Sequence, residues 1–393
     1  MDVAALRSQF PIMKNGVTYM NTGFSGPPTQ GVLDAVAATM QQEADWGPTS
    51  PPVMAKGREL RQAGRAAFAG MMNATPEETV LTDNTTRGIN MVLNGLPWKA
   101  GDELLTTSLE HGSGLVPPYQ LRERLGISVG IVQLDVMDSP EALIGKFESA
   151  LTDKTKLIVL SHIMYATGLM MPLEAINRLA HRRGVQVLVD GAQTMGQIPI
   201  DVKAWDADYY AVPGHKWMLG PWGMGALYVR RELLSDLVPV EVSGKAASKF
   251  DAFGAFEAKT DAPEKFELTT SSNPLLAGAM AAIDVLQGVG MANVQARWSE
   301  LTERLRQGLG ATPGASVTSP PAGPTACGLV TFTVAGWESQ PLVDELWGRY
   351  KIVIRPVNYP PGVRAAVDFF NTEDEVDYLV DAVRTLSKEK GNS

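Results

Sequence analysis

Scarcity is the first information in these 393 residues. A lone cysteine, Cys327, excludes a disulfide framework within the chain and any cysteine-based zinc cluster. Cations are outnumbered, 34 Lys and Arg against 43 Asp and Glu, for a net charge of -9. That balance supplies no basic face to grip a nucleic-acid backbone, so no nucleic-acid partner is expected. Long apolar runs are missing too. The longest, Pro274–Ile283, stops at Asp284, far short of the roughly 20 residues that span a bilayer, and no membrane partner is expected. The opening MDVAALRSQF has neither a basic lead nor an apolar stretch, so the expectation is a cytoplasmic protein.

What is present reads as globular. Hydrophobic residues make up 45 % and charged residues 20 %, enough for a sizeable core. The length fits two or three domains. Short apolar, often β-branched runs predict strands at Glu78–Thr82, Glu103–Thr107, Ser128–Val136, Lys156–Leu160, Val185–Val189 and Asp208–Val212. Helical patterns lie between them. Ile89, Val92, Leu93 and Leu96 fall on one helix face, and Leu173–Arg183 reads as a helix stopped by Gly184. Strands alternating with helices predict βαβ units, hence an α/β fold with a mainly parallel sheet covered on both faces. After Gly290 the texture changes. A helix at Glu300–Leu309 leads into the loop-like ATPGASVTSPPAGPTACG, then strand-like Leu329–Val334 and Lys351–Arg355. The division expected is a large domain over 18–290 and a small α/β domain from 1–17 with 291–393.

Of the four histidines, His111, His162 and His215 follow predicted strands, at the edge where ligands bind in open α/β sheets, while His181 sits within a helix. VQVLVDGAQ ends a strand on Asp190, although Asp-Gly also makes an ordinary turn. The next strand delivers Pro213, Gly214, His215 and Lys216 into an apolar, glycine-rich stretch. Desolvation there lowers a lysine pKa and makes it a nucleophile or base, whereas a surface lysine would simply snorkel. TVLTDNTTRGINMVL presents Thr85, Thr86 and free amides at a helix start, which is both an N-cap and a phosphate cradle. Taken together, these groups suit pyridoxal 5′-phosphate: Lys216 to bond its aldehyde, Asp190 to keep the ring nitrogen protonated, His111 to stack on the ring, and the helix start for phosphate. No metal site is expected.

DGAQ with DADYYAVPGHKWMLGPWGMGALYV resembles the lysine motif of the class V aminotransferase family, which includes cysteine desulfurases, isopenicillin N epimerases and cyst(e)ine C–S lyases. The likeness runs from YMNTGFSGPPT to VDFFNTEDEVDYLV. It implies fold type I, a homodimer with shared active sites and an amino-acid substrate. It implies Lys216, Asp190 and His111 as catalytic residues. Thr85, Thr86, His111, His162, Asp190, Gln193, His215, Lys216 and Thr270 would bind cofactor, with Thr270 reaching the other subunit's phosphate. Arg364, Arg355, Asn21 and Gly23 would bind substrate. Pro213 stands where the family commonly has a hydroxyl residue that helps hold phosphate. Desulfurases carry a nucleophilic cysteine on the loop before the position of Arg364, but IRPVNYPPGVR has none. Cys327 is expected to be structural. His162 in LSHIMYATG and the short Arg355–Arg364 loop resemble the C–S lyase branch. The activity implied is β-elimination from cysteine, cystine or an S-substituted cysteine. An epimerase or aminotransferase is the alternative, and a non-catalytic scaffold fits poorly with the retained lysine, aspartate and phosphate groups.

Overall fold

The computed structural model describes residues 2–391. Met1, Asn392 and Ser393, assigned above to the small domain, lie outside the described residues. The chain opens with helix α1 (Val3–Arg7), strand β1 (Thr18–Tyr19) and helices α2 (Gln30–Trp46) and α3 (Pro51–Met71). Strands and helices then alternate: β2 (Thr79–Thr82), α4 (Thr85–Gly95), β3 (Glu103–Thr107), α5 (Gly112–Leu125), β4 (Ser128–Val132), α6 (Pro140–Ala150), β5 (Thr155–Ser161), α7 (Leu173–His181), β6 (Gln186–Asp190), β7 (Tyr209–Pro213) and β8 (Gly225–Val229). A hairpin of β9 (Ala247–Phe250) and β10 (Phe256–Ala258) precedes the long helices α8 (Asn273–Val289) and α9 (Met291–Gly310). The remainder is β11 (Ala315–Val317), β12 (Leu329–Val334), α10 (Ser339–Tyr350), β13 (Ile352–Val353), β14 (Arg355–Asn358), β15 (Pro361–Ala366) and α11 (Glu373–Gly391).

The expected α/β sheet is there. Seven strands pair in the order β2-β8-β7-β6-β5-β3-β4, parallel except where β8 runs against β7 and β2. Strand parity decides which side chains meet. Val159, Leu188 and Ala211 face the layer built by α4 and α5, while Leu160, Val189 and Tyr210 face the layer of α3, α6, α7 and α8. A second sheet, β11-β12-β15-β14, is wholly antiparallel and shares its own core with α9, α10 and α11. Arg7 of α1 pairs with Glu375 at 2.8 Å. β1 pairs with β13, and Met20 lies in the core of the second sheet, so residues 18–20 run with that sheet rather than with the large one.

Several boundaries depart from the sequence reading for physical reasons. β4 ends at Val132, not Val136, because its neighbour β3 offers no partner beyond Thr107. The run Lys351–Arg355 splits at Ile354, where the chain leaves β1 for β15. The Pro- and Gly-rich stretch after α9 hides β11, an edge strand that exists only by pairing with β12. The helix before Gly184 stops at His181, and Gly184 takes the left-handed conformation, φ 68°, that a side chain resists.

His181 is more than a surface residue. Its ring bridges Asp206 and Asp208, at 2.9 Å each, and Arg230 flanks the same carboxylates. The hydrogen bond to Asp208 raises the imidazole pKa. Because the folded value lies above the unfolded one, the stabilisation is complete below the unfolded pKa of roughly 6.5 and fades as pH rises through the folded value. We expect His181→Gln to cost about 0.5–1 kcal/mol near pH ~6 and much less near pH ~9, read from denaturant midpoints at the two pH values.

Candidate active site

The C-terminal ends of the parallel strands carry the chemistry. Asp190 closes β6, buried to 3 % exposure, beside Ala211 of β7. Its Oδ1 accepts the Ala192 N–H at 2.8 Å, and Oδ2 has no partner among the described residues. Burial raises its pKa while the nearby Lys216 ammonium lowers it. Lys216 follows β7. Its amine makes no hydrogen bond among the described residues, and desolvation brings its pKa down to about 8 against the opposing pull of Asp190. Trp217 nails this segment in place. The indole is wholly buried and donates to Gln193 Oε1 at 2.8 Å. Gly196, at φ 92°, lets the backbone pass directly against Trp217 carbonyl oxygen, where a Cβ would collide.

Around this pair stand groups with unspent hydrogen-bonding capacity. Asn84 caps α4 by accepting the Arg87 N–H at 3.0 Å, which leaves the Thr85 hydroxyl free. That hydroxyl is buried and unpartnered, as is His215 Nδ1. Thr86 is bound to Ser113 at 2.9 Å. His215 stacks on Trp222, centroids 4.8 Å apart, and desolvation with Lys216 nearby lowers its pKa to about 4. His111 caps α5 through Nδ1 and lies edge-on to Tyr165 at 5.0 Å. Its outer edge is exposed, yet desolvation and the cations Lys216, Arg355 and Arg364 hold its pKa near about 4. Both rings are therefore neutral near physiological pH. Pro213 ends β7 without an amide or hydroxyl to offer.

The amino-terminal segment and the second sheet close the site. Gln193 Nε2 donates to the Gly23 carbonyl at 2.8 Å, and a Cβ on Gly23 would press on Gln193 Oε1 and Arg364 Nη2. Asn21 Oδ1 is buried without a partner. Arg364 and Arg355 face each other across β15 and β14. Like charges directly opposite one another destabilise a sheet unless an anion joins them. Arg364 is fully buried. Its Nη1 donates to the Tyr165 carbonyl at 2.6 Å, but Nε and Nη2 have no partner. Burial lowers its pKa to about 9. Arg355 lies over the Phe24 ring at 4.8 Å. A carboxylate bridging these forks would relieve both the repulsion and the unmet donors.

Two expected residues stand apart. His162 leaves β5 on the opposite parity from Ser161, which is in register with Asp190, so its ring points to the α7 side, against Trp205 and Tyr210. The structure does not bring it to Lys216. Thr270 is exposed on a loop beyond the hairpin, lining a pocket with Asp83 and Met224 that Lys216 does not line. Sequence reasoning missed Glu110 and Phe24. Glu110 is 5 % exposed, accepts both Ser161 N–H and Ser161 O–H, and has its pKa pushed up to about 7, first by burial. It ties the His111 turn to the strand beside Asp190. A carboxylate immediately before a strand-end histidine was the available signal.

Residues 32–379 match the aminotransferase class-V family. The chain belongs to that family. Among class-V relatives, a probable cysteine desulfurase of Synechocystis sp. is 32% identical over 97% of this chain and 94% of its own. The isopenicillin N epimerase of Amycolatopsis lactamdurans is 31% identical over 95% of this chain and 96% of its own. Among solved structures, a complex of the cystine C–S lyase C-DES with its reaction product cysteine persulfide superposes with TM-score 0.90 at 31% identity, covering 96% and 99% of the two chains.

The lowered Lys216 pKa has a direct readout. In cofactor-free protein, acylation of Lys216 by an amine reagent, followed by peptide mass, should be half-maximal near pH about 8 rather than near the ordinary lysine value. Asp190→Asn removes the charge that favours the ammonium, so the midpoint should move lower still; a rise would refute the coupling.

Proposed function

We propose that this chain is a pyridoxal 5′-phosphate-dependent carbon–sulfur lyase acting by β-elimination on cysteine, cystine or an S-substituted cysteine. The orphaned polar groups fit the cofactor: Thr85 Oγ1 and His215 Nδ1, with the α4 amides, for phosphate, and Asp190 Oδ2 for a protonated ring nitrogen. When bound, the cofactor supplies an electron sink for charge developing at the substrate Cα. Lys216 would hold the cofactor and would take the substrate's α-proton. Its pKa near about 8 leaves a usable fraction of free amine at neutral pH. Asp190 would keep the sink charged. His111 would cover the ring, Thr86 would add a hydroxyl for the phosphate, and Gln193 would serve the phenolic oxygen. Arg364 holds the α-carboxylate, with Asn21 and Gly23 shaping its surroundings. Arg355 reaches a second carboxylate such as the distal one of cystine. The balance for cystine is cystine plus water giving pyruvate, ammonia and cysteine persulfide: Cβ–S breaks, and the sulfur leaves with its electron pair and gains a proton.

One observation separates this reading from a desulfurase. A desulfurase of the usual kind needs an accessible thiolate to take sulfur from the substrate. Cys327 is the chain's sole cysteine. It is wholly buried, its Sγ–H donates to the Gly168 carbonyl at 3.2 Å, and burial pushes its thiol up to about 12. Sulfur therefore leaves as a free thiol or persulfide. Tyr165, edge-on to His111, supports epimerisation as the second reading, since a second proton donor is what that reaction requires.

The same reading includes a homodimer. Phe250, Phe253 and Phe256 on the β9–β10 hairpin are 64%, 96% and 69% exposed, more apolar surface than one hairpin leaves in water without a partner, and Thr270 lies exposed beyond them, free to reach a second subunit's phosphate. It also includes the large and small domains divided near residue 290 and a cytoplasmic location. No single helix among the described residues is long and apolar enough to cross a membrane.

Incubation with cystine and S-substituted cysteines should release pyruvate, with neither epimer nor substrate-derived keto acid accumulating. Cys327→Ala should retain turnover within a few-fold while losing about 1–2 kcal/mol of stability from the emptied core site. Loss of all turnover in a folded Cys327→Ala protein would favour a persulfide route.

A further inference from the structure

On the α7 side of the sheet, away from Asp190, lies a cavity of about 560 Å³. Met170, Met171, Ile198 and Trp205 make its wall apolar, and a volume of this size takes a small molecule. His162, 4 % exposed, and Thr325, 8 % exposed, are buried polar groups in that wall. The hydrogen-bond direction of His162 can be read from the far end of a chain of donors. Thr194 Oγ1 donates to the Gly191 carbonyl at 2.8 Å. Thr194 Oγ1 therefore accepts from the Tyr210 hydroxyl at 2.9 Å, whose single proton is then spent. Tyr210 oxygen in turn accepts from His162 Nδ1 at 2.8 Å, so the ring proton sits on Nδ1. Nε2 is left as a lone-pair acceptor, with no partner among the described residues and not sealed from solvent. Trp205 packs edge-on to the same ring at 4.8 Å and holds it against rotation. Tyr210 has no slack either, since a Cβ on Gly191 would collide with its ring.

We propose that this cavity is a second ligand site, taking an uncharged, flat aromatic molecule that donates one O–H to His162 Nε2 while its ring lies among the methionines and Trp205. The chemistry of the wall selects the class. The pocket opens to solvent at its rim, where Glu174 and Arg178 pair with each other, so its apolar floor offers a charged group no free counter-charge. A ligand lacking a donor would bury against Nε2 and strip it of water without replacing the bond.

Phenol and its isostere toluene separate this from mere apolar filling. In ligand-observed NMR titrations of the cofactor-loaded chain, phenol should bind about tenfold tighter than toluene, the effect of one hydrogen bond. His162→Phe should abolish that preference. Ala175→Trp, which fills the cavity from α7, should abolish binding of both. Equal affinities in the unaltered chain, no binding by either compound, or undiminished phenol binding in Ala175→Trp would each overturn the proposal. Should His162→Phe fail to fold, the phenol-to-toluene ratio and the Ala175→Trp titration decide the matter without it.

Discussion

A buried carboxylate and a half-buried amine, placed at the ends of neighbouring strands, are the constraint on which the rest of the structure depends. Neither Asp190 nor Lys216 would keep its charge alone in so dry a place. Each sustains the ionised form of the other while burial works against both. The compromise leaves Lys216 easier to deprotonate than an ordinary lysine, without losing the charge that holds the aspartate ionised. Such a compromise requires rigid backbone. The parallel ladder fixes Asp190, and the buried Trp217 fixes the lysine segment by bonding to Gln193, which is itself held by Gly23.

The surroundings extend the same economy of charge. His111 and His215 are dried enough to stay neutral, so they add shape and hydrogen-bonding capacity without adding positive charge beside Lys216. The positive charge that remains is concentrated in Arg355 and Arg364, opposed across two strands of the second sheet with donors unspent. That arrangement is tolerable only as a receptor for carboxylate. It explains why the small sheet and the amino-terminal segment must reach the edge of the large sheet: without Gly23, Phe24 and β14–β15 the catalytic pair would have no anion site beside it.

Much of this was legible in one dimension. Periodicity located the strands of the large sheet, because buried parallel strands are short, apolar and punctuated by turns. Lys216 stood out as a cation among apolar neighbours, and Asp190 as an acid closing an apolar run. The losses were of kinds that sequence hides. His162 followed a strand as expected, but a strand-end side chain falls on one face or the other by parity, and a one-residue difference sends it behind the sheet. β11 and the break at Ile354 depend on partners distant in the chain. Phe24 beneath Arg355 is a long-range contact with no local signature, and Glu110, although it sits just before a strand-end histidine, finds its partner Ser161 fifty-one residues away.

The central claim is that one amine, and no other, captures the cofactor. Borohydride reduction of the chain loaded with pyridoxal 5′-phosphate, followed by digestion and peptide mass mapping, tests it most directly. The account predicts one modified peptide, carrying the pyridoxyl phosphate increment on Lys216. Modification of a different lysine, or recovery of Lys216 unmodified from protein that has taken up the cofactor, would contradict it.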